Sequence, residues 1–135
     1  MSQSNDESFH HVGVAVKDIR AAALALTRLF PAARATDTVN DARLGVRIQF
    51  LTLGDLRVEL IEPMSSPSPV DSILQRGIGL YHVCFEVADI DKRLAELTSA
   101  GATLIAPPKP AVAFENRRVA FVMSQGMMIE LLESA

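Results

Sequence analysis

Tryptophan is absent from this 135-residue chain, and tyrosine and cysteine each occur once, the cysteine as Cys84. With so few flat rings, an aromatic platform for stacking single-stranded nucleic acid is not expected. A single cysteine excludes an intrachain disulfide and a zinc site built of several thiolates, and it fits a reducing compartment. No apolar run reaches the roughly 18 residues of a membrane span. The opening MSQSNDES has neither the basic nor the apolar region of a secretory signal. Positive charge is also short: 13 lysines and arginines stand against 16 acidic residues, for a net charge of −3. They form no basic stripe of the kind that grips nucleic acid. The expectation is a cytoplasmic protein with neither a nucleic-acid nor a membrane partner. What remains is ordinary globular composition, 49% hydrophobic and 21% charged, enough for one compact domain.

Histidine is scarce as well, and its three occurrences are informative. His10 and His11 lie in FHHVGVAVKDI (residues 9 to 19), His82 in LYHVCFEVADI (80 to 90). The two stretches match position by position, pairing His11, Val12, Val16, Asp18 and Ile19 with His82, Val83, Val87, Asp89 and Ile90. The offset is 82 − 11 = 71. It holds downstream without a gap: RIQFLTLGDLRVELIE from Arg47 meets RVAFVMSQGMMIELLE from Arg118, pairing Phe50 with Phe121 and Glu59-Leu60 with Glu130-Leu131. One register that preserves His, Asp, Arg, Phe and Glu together points to an internal duplication.

Each copy reads as β-α-β-β-β. In the first, alternation marks a strand over 10–16, Asp18 caps a helix over IRAAALALTRLF, and a weak strand near 34–39 precedes strands at 46–53 and 56–62 joined at Gly54-Asp55. In the second, a strand at 80–87 leads to a helix at 89–100 closed by Gly101, then strands at 103–105, 117–123 and 127–133. The implied organisation is a disordered tail at 1–8, one module at 9–63, a Pro/Ser linker at 64–79 with a short helix capped near Ser68, and a second module at 80–135. The fold class is α+β, with the tandem modules forming a curved mixed sheet around a concavity.

Side chains alternate across a strand. If Val12, Val14 and Val16 face the helix, His11 lies on the other face. If Val58 and Leu60 face it, so does Glu59 lie opposite, and His82 and Glu130 follow in the second copy. Two histidines and two glutamates on helix-free faces form a candidate nitrogen and oxygen ligand set for one divalent ion, Zn, Co, Ni, Mn or Fe. The remaining polar residues read as structural. His10 has opposite parity and is matched by Tyr81, Cys84 suits a core or pocket wall, and Glu62 and Glu133 are expected in solvent.

HHVGVAVKDI, GVRIQFLTLGDLRVELIEP with SPVDSIL, GLYHVCFEVADID and the terminal RRVAFV and MIELLE resemble the vicinal oxygen chelate (glyoxalase and bleomycin-resistance) superfamily, and within it the methylmalonyl-CoA epimerases. The resemblance runs from Phe9 to Glu133 and implies the glyoxalase-like fold, a homodimer, and metal ligands at His11, Glu59, His82 and Glu130. It implies epimerisation of a 2-substituted malonyl-type acyl thioester through an enolate. In that reaction Glu59 and Glu130 act as ligands and bases, Gln49 offers an orienting hydrogen bond, and Arg47, Arg117 and Arg118 are candidates for carrier phosphates. Where these epimerases carry a proton-transferring glutamate before the hairpin, this chain reads Arg47-Ile48-Gln49. Two alternatives use the same fold: glyoxalase I-like isomerisation of a thiol hemithioacetal, and metal-free binding of a small molecule.

Overall fold

A computed structural model describes residues 7–135, so most of the tail expected at 1–8 lies outside the described residues. The described residues fall into two compact units, His11–Tyr81 and His82–Ala135, the latter taking in residues 7–10.

In the first unit, β1 (Ser8–Ala15) leads to α1 (Ile19–Leu29), two short strands β2 (Arg34–Ala35) and β3 (Val39–Asp41), the hairpin β4 (Val46–Leu53) and β5 (Leu56–Pro63), and a one-turn helix α2 (Asp71–Gln75). The strand order is β2-β4-β5-β1, with β3 also paired to β4. β1 runs parallel to β5, as a strand-helix-strand crossover requires. β4 and β5 pair antiparallel across the Gly54-Asp55 connection. Ala and Leu dominate α1 and favour helix. Asp18 caps it by accepting the Ala21 N–H, and Pro31 lies just beyond its end. The weak strand expected at 34–39 is two separate pieces. α2 is not capped by Ser68: Val70 holds the cap position, and the Asp71 carboxylate accepts the Ser68 N–H at 2.7 Å.

The second unit holds β6 (Leu80–Val87), α3 (Ile90–Ser99), β7 (Thr103–Pro110), a 3-10 turn at Val112–Phe114, β8 (Arg118–Ser124) and β9 (Met127–Glu133). Its order is β6-β9-β8-β7, again with a parallel first-to-last pair. Asp89 caps α3 through the Lys92 N–H, and Gly101, at φ +110, leads the chain out of the helix. Val87, Ile90, Ala120 and Leu131 form a buried core, joined by Leu94 and Leu97 from α3. β7 extends five residues past the expected 105, through Pro107, Pro108 and Pro110. It tolerates them because it pairs only with β8 in this unit and bulges twice, between Leu104 and Ala106 and between Ala106 and Lys109. Among the described residues no helix is long and apolar enough to cross a membrane.

Candidate metal centre

The first unit brings His11 and Glu59 together from neighbouring parallel strands. Glu59 lies in register with Gly13. His11 Nε2 stands 3.3 Å from Glu59 Oε1, and both side chains are buried. Across the hairpin Glu59 pairs with Phe50, whose ring meets the imidazole edge-on at 5.6 Å and 74°. The second unit reproduces this arrangement. Glu130 pairs with the small Cys84 on one side and Phe121 on the other. His82 Nε2 lies 3.0 Å from Glu130 Oε1, and Phe121 meets the His82 ring at 5.7 Å and 87°. The duplication therefore repeats a local device: a strand-borne imidazole, a carboxylate on the adjacent strand, and a phenyl ring that fixes the imidazole plane.

The donor spacing fits a metal ion. Two atoms each about 2.1 Å from one ion lie about 3.0 Å apart at a right angle and about 3.4 Å apart at a tetrahedral angle. Both His–Glu separations fall in that interval. Burying an ionised carboxylate without a compensating cation or donor is costly, so a neutral imidazole N–H or a bound cation satisfies each pair.

Gln49 does not join Glu59. It pairs with Leu60, while Glu59 pairs with Phe50, so Gln49 extends from the opposite face of the sheet and donates to the Thr36 carbonyl at 2.8 Å. Cys84 is buried and carries no disulfide. His10 meets Phe114 edge-on at 5.4 Å. The three arginines expected at carrier phosphates are already engaged. Arg47 pairs with Glu62 and donates to Asn40 Oδ1, Arg117 binds Glu86 at 2.8 Å, and Arg118 binds Glu133 and Asp91.

Glu62 and Glu133, expected in solvent, instead cap the helices. Glu62 Oε1 accepts the Ile19 N–H at 2.7 Å, and the Glu133 carboxylate accepts that of Ile90. Hydrogen bonding from Arg118 holds the Glu133 carboxyl below the usual carboxylate range, opposed by partial desolvation. The paired acids in turn hold the Arg118 guanidinium further on its charged side. The signal for these clamps was present in the sequence: Arg47 with Glu62, and Arg118 with Glu133, recur at the one offset.

A family model described as "Glyoxalase/Bleomycin resistance protein/Dioxygenase superfamily" matches residues 10–121. An ethylmalonyl-CoA/methylmalonyl-CoA epimerase of Cereibacter sphaeroides is 31% identical over 127 residues, covering 90% of this chain and 94% of that one. A hypothetical protein of Bacillus halodurans superimposes with a TM-score of 0.84 at 28% identity, over 96% of this chain and 95% of that one. A Streptomyces coelicolor methylmalonyl-CoA epimerase in complex with 2-nitronate-propionyl-CoA does so with a TM-score of 0.80 at 25% identity, over 95% and 94%. The α+β, glyoxalase-like fold expected from the sequence is thus the fold of this chain.

Proposed function

We propose, starting from the membership of this chain in the glyoxalase/bleomycin resistance protein/dioxygenase superfamily, that it is a metal-dependent epimerase of a 2-substituted malonyl-type acyl thioester. The observation that carries this reading is the pair of buried imidazole-carboxylate couples, His11 with Glu59 and His82 with Glu130, at metal-donor spacing. They occur in a chain 31% identical to an ethylmalonyl-CoA/methylmalonyl-CoA epimerase.

On this reading the four side chains hold one divalent ion. The ion supplies Lewis-acid polarisation of the thioester carbonyl, which acidifies the neighbouring C–H. Epimerisation requires a proton to leave one face of that carbon and another to return to the opposite face, so two bases are needed. Glu59 and Glu130 come from duplicated elements and serve as that pair: one carboxylate oxygen accepts the α-proton, and the other carboxyl returns one. Phe50 and Phe121 keep the imidazoles from rotating, so the donor atoms are set before substrate arrives. Burial excludes bulk water from the carboxylates. Assembly as a homodimer, expected from the family likeness, belongs to the same reading and is checked by light scattering.

The test is proton NMR of methylmalonyl-CoA in D₂O with protein loaded with Co²⁺ or Zn²⁺, against a His82→Ala control. Loss of the α-proton signal well above the protein-free rate, and dependent on His82, supports the assignment. Absence of exchange from protein that carries one ion per chain overturns it for this substrate.

A further inference from the structure

Within the unit His11–Tyr81 a cavity of about 560 Å³ opens where α1 begins, on the face of the sheet opposite Glu59. Lys17, Asp18, Arg20, Arg47, Gln49 and Glu62 line it, with Ala23 beside them. The duplication supplies an internal comparison. At the matching positions the second repeat carries Ala88, Asp91, Leu94, Arg118, Ala120 and Glu133. There Leu94 packs against the core that contains Ala120, and Arg118 is neutralised by both Asp91 and Glu133. The helix-sheet corner is apolar inside and balanced outside.

The first repeat keeps the arginine and the glutamate, as Arg47 and Glu62, and differs at the other four positions. Ala23 in place of leucine removes the plug, and Gln49 in place of alanine puts a hydrogen-bonding amide on the floor. Arg20 in place of aspartate takes away the second acid and adds a cation, and Lys17 adds another. The two acids nearby are already in use, Asp18 on the Ala21 N–H and Glu62 on the Ile19 N–H and Arg47. Neither Lys17 nor Arg20 makes an ion pair with another described residue. With Arg47 paired to Glu62, Lys17 and Arg20 stand beside the single acid Asp18, so the cavity carries an excess positive charge that an entering anion would offset.

We infer that this corner is a binding site for a phosphate-bearing ligand of nucleotide size. The volume suits such a molecule. The Arg20 guanidinium and the Lys17 ammonium, beside the Arg47–Glu62 pair, match the charge and fork geometry of a phosphate better than that of a single carboxylate. Gln49 spends one amide hydrogen on Thr36 and keeps a second. The ligand chemistry has two sources, the phosphorylated nucleotide of a thioester carrier or a free nucleotide acting as an effector.

The experiment is calorimetric titration of the metal-loaded full chain with ADP and, separately, with free-thiol CoA. The proteins compared are wild type, Lys17→Ala/Arg20→Ala and Ala23→Leu, the last restoring the plug of the second repeat. The expected result is binding that weakens at least ten-fold in both variants, with circular dichroism unchanged. Parallel loss for CoA and ADP assigns the corner to the carrier, and loss for ADP alone assigns it to an effector. Failure of both probes to bind wild type, or binding undiminished in the double variant, overturns the inference. These readouts involve no turnover, so they stand or fall separately from the epimerase assignment.

Discussion

Glu62 Oε1 accepts the backbone N–H of Ile19 at 2.7 Å, so the carboxylate three residues beyond Glu59 closes the first turn of α1. Glu133, three beyond Glu130, does the same for Ile90 at the start of α3. An acid at a helix N-terminus satisfies an orphan donor and meets the positive end of the helix dipole. Here each acid also sits on the strand that carries a candidate metal ligand, and each is gripped by an arginine of the next strand. Strand, helix and ligand are thereby tied in one register. A slip of β5 or β9 by one residue would turn its glutamate to the wrong face.

The Glu133 clamp gives stability a defined pH dependence. Its folded pKa is depressed from the ordinary 4.5, chiefly by hydrogen bonding from Arg118. A depressed carboxyl stabilises the folded state fully above the unfolded pKa and loses that contribution as pH falls through the folded value. Thermal melts from pH 6 downward should therefore show a drop below about pH 4.5 in wild type. That drop should be shallower in Glu133→Gln, which is less stable at neutral pH and converges with wild type in acid. Parallel curves for the two proteins would remove Glu133 from the account.

Symmetry between the two couples makes a second prediction. If both supply ligands to one ion, His11→Ala and His82→Ala should lower metal affinity similarly, each by more than the roughly 10–100-fold lost with an outer-shell partner. Competition against a chromophoric chelator measures this directly. A variant that loses no affinity identifies a couple that is only a buried hydrogen bond.

Much of this was legible because duplication leaves its mark on single residues. Four candidate ligands, the cap at Asp18 and the β-α-β-β-β order of each copy follow from one offset and from alternation. Parity fails where it must report what covers a face. It assigned Glu62 and Glu133 correctly to the side away from the ligands, yet nothing local indicates that a helix end waits there. The length of β7 is hidden for a different reason: three prolines follow residue 105, and only an edge position makes them compatible with a strand. Gln49 is given its orienting role from its place on the strand before the hairpin, yet it pairs with Leu60 while Glu59 pairs with Phe50, a single step that changes the face.

The phenyl rings offer a test of preorganisation separate from ligation. Phe50 and Phe121 touch the imidazoles edge-on, a contact worth about 0.5–1.5 kcal/mol beyond area burial. Leucine at either position keeps most of the apolar volume but not the ring edge. Phe50→Leu and Phe121→Leu should each lose about that much stability in urea titrations, and metal affinity should fall only a few-fold. A loss as large as that of the histidine variants would mean that the rings do more than orient.

The turn between β8 and β9 carries a correctable strain. Gln125 has φ 53 and Gly126 φ 76, the paired positive values of a two-residue type I′ hairpin turn. Glycine adopts this region freely, but a glutamine pays for the contact between its Cβ and the following carbonyl. Asparagine tolerates the left-handed conformation better and restores the favoured Asn-Gly pair. Gln125→Asn should therefore raise stability by about 0.5–1 kcal/mol, read as a higher urea midpoint at unchanged slope. Because the turn lies at the end of the hairpin away from Arg118 and Glu133, metal affinity should stay at the wild-type value. An unchanged midpoint would mean that the glutamine side chain already earns its strain through a contact at the turn, and a lowered one that the hairpin depends on it.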